Sequence, residues 1–413
     1  MMMDSILTLV GKTGLYQGIV LRALSRMDKG RLYITLPDGE KLTLGDGQAP
    51  VSASLVIKDK AFFKRCVYHG DIGFGEGYVD GQWDSEDITA VMSWFLLNID
   101  KAPGLSGSKT QTLALNLLKG WNKIVHSRTN TLTGSRRNIS RHYDLNNDFF
   151  RLFLDPGMTY SSAYFLREGM SLEEAQRAKY DRLCCQLRLQ PGDRVLEIGS
   201  GWGENAIFMA KNYGCRVTSL TISEEQFRFA SDRVEREGLE DRVTILLEDY
   251  RRIKGQFDKI VSVEMLEAVG HHFLDGYFAK CHALLRHNGI LALQVITCPD
   301  SRYDSMRRGI DWIQKHIFPG SLLPSVAAIN KAVNRTGDMT LVDLKDLGID
   351  YAKTLRVWRE QFNSRLSDIR SLGFDETFIR KWNYYFCYCE AAFAMRNIHV
   401  MQLVYTRPNN RTR

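Results

Sequence analysis

No stretch of this 413-residue chain approaches the roughly 20 consecutive apolar residues that a membrane-spanning helix needs. The longest apolar runs, near 90–99 and 290–296, fit a buried helix and a buried strand. Residues 1–11 lack the basic start, apolar core and small-residue cleavage site of a signal peptide, so the expectation is a cytoplasmic protein. The cysteines also lack the pattern that would bind a metal. Cys184 and Cys185 are adjacent, Cys387 and Cys389 are one residue apart, and no C-x-x-C pair or matching His spacing completes a zinc site. All eight cysteines therefore read as reduced, mostly buried thiols, and no metal is expected. Acid is missing from one segment: 101–141 holds eight Lys or Arg and no Asp or Glu, within a net charge of +7. Such a segment gains about 1 kcal/mol per basic residue near anionic lipid. Nucleic acid would draw on the same charge, so charge alone does not choose between the two.

What is present is an ordinary globular composition, 44% apolar and 25% charged, in a length that suggests two or three domains. Residues 1–100 alternate strand-like runs (31–36, 41–44, 54–57) with turns such as Asp38-Gly39. A helical stretch over 59–69 and a glycine-rich run over 73–81 follow. This part is expected to be a small α+β module, a candidate for lipid docking or for pairing of two chains as a homodimer. Residues 101–135 read as a basic linker, with a short amphipathic helix over 113–118 followed by Trp121. From 136 to 413 the rhythm is βα. Runs 194–198, 216–220, 243–247, 259–263 and 290–296 read as strands, and Ser171 with Glu174 forms a capping box that Ser223 with Gln226 repeats. Strands alternating with helices imply a parallel sheet covered on both faces.

The first of these strands runs into Val195-Leu-Glu-Ile-Gly199-Ser-Gly201-Trp-Gly203. Glycines there permit a tight turn and a close backbone approach to a ligand at the carboxyl end of the strand. The third glycine of the dinucleotide fingerprint is missing, because Glu204 stands in its place, which argues against NAD. Glu197 sits inside an otherwise apolar strand and needs a partner when buried. Two partners stay open: the α-ammonium of an amino-acid-like cofactor, or backbone N–H groups of the loop. The next strand ends near Thr221 and Gln226, which can bind ribose or a methionine end. The third ends in Glu248-Asp249-Tyr250, an acceptor for an adenine amino group and a ring to stack on it. In order at successive strand ends, these residues favour S-adenosylmethionine.

Several further segments carry a resemblance to a known family. They are Asn138-Ile-Ser-Arg-His142-Tyr-Asp-Leu-Asn-Asn-Asp-Phe-Phe150, Leu154-Asp-Pro-Gly-Met-Thr-Tyr160-Ser-Ser-Ala-Tyr-Phe165, the Gly199 loop and Glu264-Met-Leu-Glu267-Ala-Val-Gly270-His271. Trp312-Ile-Gln-Lys-His-Ile-Phe-Pro319, Gly348-Ile-Asp-Tyr351 and the 384–396 run complete the set. Over about 138–408 the chain resembles the cyclopropane-fatty-acyl-phospholipid synthases, including the mycolic acid cyclopropane synthases. The fold this implies is α/β, a Rossmann-like S-adenosylmethionine-dependent methyltransferase domain with a smaller α+β amino-terminal domain. By the resemblance, Tyr160 and Ser161 touch the cofactor from a lid, and Gly199, Gly201, Thr221, Gln226 and Tyr250 line its pocket. A bicarbonate ion is implied at Ser162, Glu267, Gln294, Ile296 (through its backbone) and Tyr351. Ser162 stands where many members have Cys and Gln294 where many have His; both side chains can still hydrogen-bond an oxyanion.

The implied reaction adds a methylene across a cis double bond of an unsaturated phospholipid acyl chain, by a protein associated peripherally with the inner face of the membrane. An alkene is a poor nucleophile, so positioning must supply much of the rate, roughly 7–11 kcal/mol in favourable cases. The cation left on the chain needs aromatic faces, for which Phe149, Phe150, Tyr164, Phe165 and the 384–386 run are candidates. Closing the ring needs a base. A lipid C-methyltransferase leaving a methyl or methylene branch shares every cofactor feature and is the alternative. A nucleic-acid methyltransferase would explain the charge but not the apolar, aromatic-rich carboxyl half, so no nucleic-acid partner is expected.

Overall fold

The computed structural model describes residues 14–101 and 147–411. The basic linker beyond Lys101, its expected helix and the 138–146 part of the motif lie outside the described residues. Among the described residues, one unit contains 14–101 with Asp304–Ile317 and Leu366–Asn397. The other contains 147–303 with Phe318–Arg365 and 398–411. The first unit thus draws on two segments of the 136–413 stretch.

In the first unit β1 (Arg31–Thr35), β2 (Lys41–Leu44), β3 (Ser52–Ile57) and β4 (Trp83–Asp84) form a sheet in the order β2-β1-β3-β4. The glycine-rich run over 73–81 is helical as far as Val79. It continues the helix Ala61–Val79 past a kink at Gly70, whose φ is +56°. The reason is close packing: a Cβ on Gly75 would lie 2.5 Å from the Trp312 ring and 2.8 Å from that of Tyr384. Helix Glu376–Ala394 joins this unit, with Arg380 stacked 3.9 Å over Tyr78.

The second unit is built on β5 (Arg194–Ile198), β6 (Arg216–Thr221), β7 (Val243–Leu247), β8 (Phe257–Val263), β9 (Leu285–Thr297), β10 (Thr340–Asp346) and β11 (His399–Thr406). Their order is β10-β11-β9-β8-β5-β6-β7. The strands from β5 to β9 pair in parallel, whereas β11 runs antiparallel to both β9 and β10. Alternate residues feed two cores. Leu196, Ile260, Leu291 and Leu403 pack with helices Leu274–Leu284 and Val326–Thr336. Val195, Val261, Ala292 and Val404 pack with Leu172–Leu187, Glu204–Tyr213 and Glu224–Arg236. That period of two, with apolar residues on both faces, is why these strands read as continuous apolar runs. The Ser171–Glu174 capping box forms. Ser223 also caps its helix, but the Gln226 amide turns away to Thr221. The eight cysteines are free, with Cys184, Cys215, Cys281, Cys298 and Cys387 buried.

Candidate active site

The strand order reverses direction at β5: β6 and β7 lie on one side, β8 and β9 on the other. The carboxyl ends of β5 and β8 therefore border the crevice where open α/β sheets bind ligands. The β5 turn enters it with three left-handed glycines, Gly199 at φ +100°, Gly201 at +50° and Gly203 at +90°. The N–H groups of Gly199 and Ser200 both donate to the Leu220 carbonyl, at 3.0 and 2.7 Å, which ties the turn to β6. A Cβ on Gly199 would sit 3.3 Å from Met265, and one on Gly203 3.0 Å from Ala230. Around Gly201 a Cβ would meet nothing within 4 Å, so the turn presents open backbone there.

The residues expected to line a cofactor gather along this side. Glu197 is 2% exposed, and its carboxylate accepts from Asn205 Nδ2 at 2.7 Å and from the Ser219 hydroxyl. These side-chain donors, rather than the loop N–H groups weighed from the sequence, stabilise it within the protein. Burial still pushes its carboxyl up to about 7. Thr221 donates to Gln226 Oε1 at 2.9 Å, and both are buried. Asp249 accepts at Oδ1 from the backbone and side-chain nitrogens of Arg251, each at 2.9 Å. Tyr250 is nearly buried against Tyr277, ring centroids 5.2 Å apart, with the Arg251 guanidinium 5.3 Å over its face.

Tyr160 lies among Phe150, Trp358 and Phe318, with ring centroids at 5.4, 5.2 and 6.3 Å. The segment that carries it is pinned at successive residues. Gln176 donates to the Ser161 carbonyl at 2.9 Å, Thr354 accepts from Ala163 N–H at 3.1 Å, and Asp350 from Phe165 N–H at 2.8 Å. The Ser161 hydroxyl accepts from Lys179 Nζ at 2.7 Å. Lys179 is fully buried; desolvation brings its ammonium down to about 7 against the pull of Glu264, Asp155, Glu204 and Glu197. Of the candidate cation-facing rings, Phe149 and Phe150 are core residues of this unit, while Tyr384 packs on Trp312 within the first unit. Phe165 already faces an ammonium, that of Lys353 at 4.0 Å.

The end of β8 carries two carboxylates. Glu267 is 7% exposed and accepts from Ile296 N–H through Oε1. Its Oε2 is buried and has no hydrogen-bond partner among the described residues. Burial, and then the charge of Glu264, push the Glu267 carboxyl up to about 8. Glu264 accepts at Oε1 from Ser162 N–H and from Gln294 Nε2, both at 2.8 Å, and from the Tyr351 side chain. Burial raises its carboxyl too, against those donors and the Lys179 charge. Gln294 is oriented in turn by Gln402 at 2.9 Å, and Gln402 by Arg182 at 2.7 Å. Ser162, Gln294 and Tyr351 thus gather on Glu264, and Ile296 on Glu267, from four separate parts of the chain.

Glu264 and Lys179 are the residues that reading by sequence passed over. Glu264 lay within a quoted motif without a role. A polar residue directly after an apolar strand at a switch point is the signal that could have marked it. Lys179 had no such signal, because its helix pattern is that of an ordinary half-exposed helix.

A family profile described as mycolic acid cyclopropane synthetase matches residues 130–403. The tuberculostearic acid methyltransferase UfaA1 of Mycobacterium tuberculosis is 40% identical over 90% of this chain and 86% of its own length. The cyclopropane-fatty-acyl-phospholipid synthase of Escherichia coli K12 is 38% identical over 88% of this chain and 89% of its own. Among solved structures, mycolic acid cyclopropane synthase CmaA1 complexed with SAH and CTAB superposes with a TM-score of 0.61. It is 32% identical and covers 66% of this chain and 98% of its own.

Proposed function

Because the chain belongs to the mycolic acid cyclopropane synthetase family, we propose that it transfers a methylene from S-adenosylmethionine to a cis double bond of an unsaturated phospholipid acyl chain. The observation that carries this reading is the facing, at one switch point, of a left-handed glycine turn and a pair of clustered carboxylates. The turn fits S-adenosylmethionine: its backbone is open at Gly201, and Glu197, Gly199, Gly203, Thr221, Gln226, Asp249 and Tyr250 ring it from three strand ends. Tyr160 and Ser161 would close on it from the opposite side. The bound cofactor supplies an electrophilic methyl group.

Everything else falls to the chain's own residues. The rings around Tyr160 keep water away and offer π faces to a cationic acyl chain, which they attract without capturing. Ring closure needs a group that removes a proton from the transferred methyl, and we put it among Ser162, Glu264, Glu267, Gln294, Ile296 and Tyr351. Bicarbonate, implied there by resemblance, does not fit these residues as they stand. The Gln294 and Tyr351 donors already serve Glu264, the Ile296 N–H serves Glu267, and an added anion would meet the Glu264 carboxylate.

No described helix is long and apolar enough to cross a membrane. We therefore read the acyl chain as reached from the surface, by peripheral association at the inner face with the basic 101–141 segment as the attracting charge. Docking or pairing through the amino-terminal module belongs to the same reading. The 40% identity to a methyltransferase named for a branched acid favours one second reading, a branch in place of the ring. Vesicles of monounsaturated phospholipid and S-adenosylmethionine with a deuterated methyl separate the two. Two deuteriums kept in the product mean methylene transfer, and derivatisation then tells a ring from an exocyclic methylene. Three deuteriums kept mean a methyl branch and overturn the first reading.

A further inference from the structure

Three donors that could hold a small oxyanion at the end of β8 all turn to one side chain. Glu264 receives the Ser162 N–H and the Gln294 amide at 2.8 Å each, and the Tyr351 side chain as well. The second amide hydrogen of Gln294 goes to the Ser162 carbonyl at 3.2 Å, and the Ser162 hydroxyl donates to the Ala163 carbonyl at 3.0 Å. We propose that Glu264 is the base of the reaction, its carboxylate standing among these donors in place of an added oxyanion. This rests on the methylene-transfer reading above.

Four observations converge on it. Glu264 is half-buried, whereas Ser162 and Gln294 behind it are sealed at 0% and 1% exposure. Its backbone is held at φ +49°, in the left-handed region where a side chain costs about 1 kcal/mol or more, and such strain persists where the surroundings over-determine it. Its neighbour Met265 packs against Gly199, so the base and the glycine turn adjoin. Ser162 and Gln294, which donate to Glu264, carry side chains that do not titrate, and Glu267 keeps its own proton up to about 8. Glu264 is then the acceptor, with buried Lys179 as the cation that favours its ionised form.

The step balances without an outside reagent. The alkene π pair forms the first carbon–carbon bond to the methyl as its bond to sulfur breaks, leaving a cation on the other alkene carbon. A methyl C–H bond then breaks, and its electron pair closes the ring onto that cation. The proton passes to a carboxylate oxygen of Glu264 and is later lost to solvent.

The test uses the full-length enzyme, monounsaturated phospholipid vesicles and S-adenosylmethionine, in buffer stripped of carbon dioxide and in buffer with added bicarbonate. The wild type should turn over equally in both, and Glu264→Gln should lose about 10²–10⁴-fold in kcat with cofactor affinity by calorimetry unchanged. Glu264→Gly suits the left-handed backbone, so it should fold. It should lose as much, recover with bicarbonate or formate, and bind ¹³C-bicarbonate detectably by NMR where the wild type does not. Bicarbonate dependence of the wild type, saturable binding of the ion to it, or a Gln variant within about tenfold of wild type would each overturn the assignment. If no lipid product forms in any buffer, the methylene-transfer reading fails. The NMR comparison still decides whether Glu264 fills the ion's place.

Discussion

The two sides of the β5–β8 switch point solve different problems with different materials. On the β5–β6–β7 side the site is mostly backbone: glycines at positive φ, a carbonyl clamp from Leu220, and side chains placed at successive strand ends. On the β8–β9 side it is almost all side chain, with two carboxyl groups and an amide relay running Arg182, Gln402, Gln294, Glu264. The first side is local, so each part lies within a few residues of its neighbour. The second is assembled from positions 162, 264, 294 and 351, which meet only through the sheet and helix Gly348–Ser364. A binding surface that must follow a cofactor's outline tolerates a contiguous loop. A proton acceptor must be desolvated yet partnered, and no single loop supplies three donors and a second carboxyl.

Breaking the backbone side should have the largest effect on cofactor affinity. Gly199→Val places a branched side chain at φ +100° against Met265, a strain of about 1–3 kcal/mol that the turn can escape only by moving. Calorimetry should find cofactor affinity lower by about tenfold to a hundredfold, with the pH profile of the residual activity unmoved. An unchanged affinity would mean that the turn does not approach the cofactor.

The carboxylate side should answer in its pH dependence instead. Glu267 is raised to about 8, so it is neutral below that pH and becomes a second anion beside Glu264 above it. Turnover should fall as pH rises through about 8, and Glu267→Gln, which cannot ionise, should lack that alkaline limb. The stability of the fold carries the same sign. With a folded value above the ordinary 4.5, the native state holds more protons than the unfolded one between 4.5 and about 8. Stability contributed by this group is lost as pH rises through that window, so melting should decline with pH less steeply in the Gln variant. An identical slope in both proteins would place the titration elsewhere.

Arg182→Leu should give the smallest effect. Arg182 acts through Gln402 and Gln294 and touches no reacting atom, so it is a positioning residue. A drop of a few-fold in kcat with KM unchanged is expected, since a misplaced Gln294 weakens one of the Glu264 donors. Arg182→Lys should restore part of it. A change in KM alone would point to lipid contact instead.

Much of the fold was legible. The parallel strands and the capped helix after Ser171 follow from period and cap chemistry, and the apolar runs near 90–99 and 290–296 mark helix Ile88–Leu97 and the buried part of β9. The antiparallel pair β10 and β11 did not, because β10 alternates partly exposed residues at a sheet edge and resembles surface loop. The 73–81 run carries no helix signal because glycine lowers helix propensity, yet Trp312 and Tyr384, more than 200 residues away in sequence, pack where a side chain on Gly75 would otherwise stand.

By itself the sequence determined the cofactor turn and its register on β5, because close backbone approach and positive φ are demands that contiguous glycines meet. Only the tertiary structure decided which carboxylate gathers the donors. Glu264 and Glu267 are three residues apart and chemically alike, and what separates them is the direction each faces. One meets an amide, a peptide N–H and a phenol brought from distant segments, and the other keeps a buried oxygen that has no hydrogen-bond partner among the described residues. Desolvation and partner geometry depend on that packing, and they set which group holds a proton and which can take one.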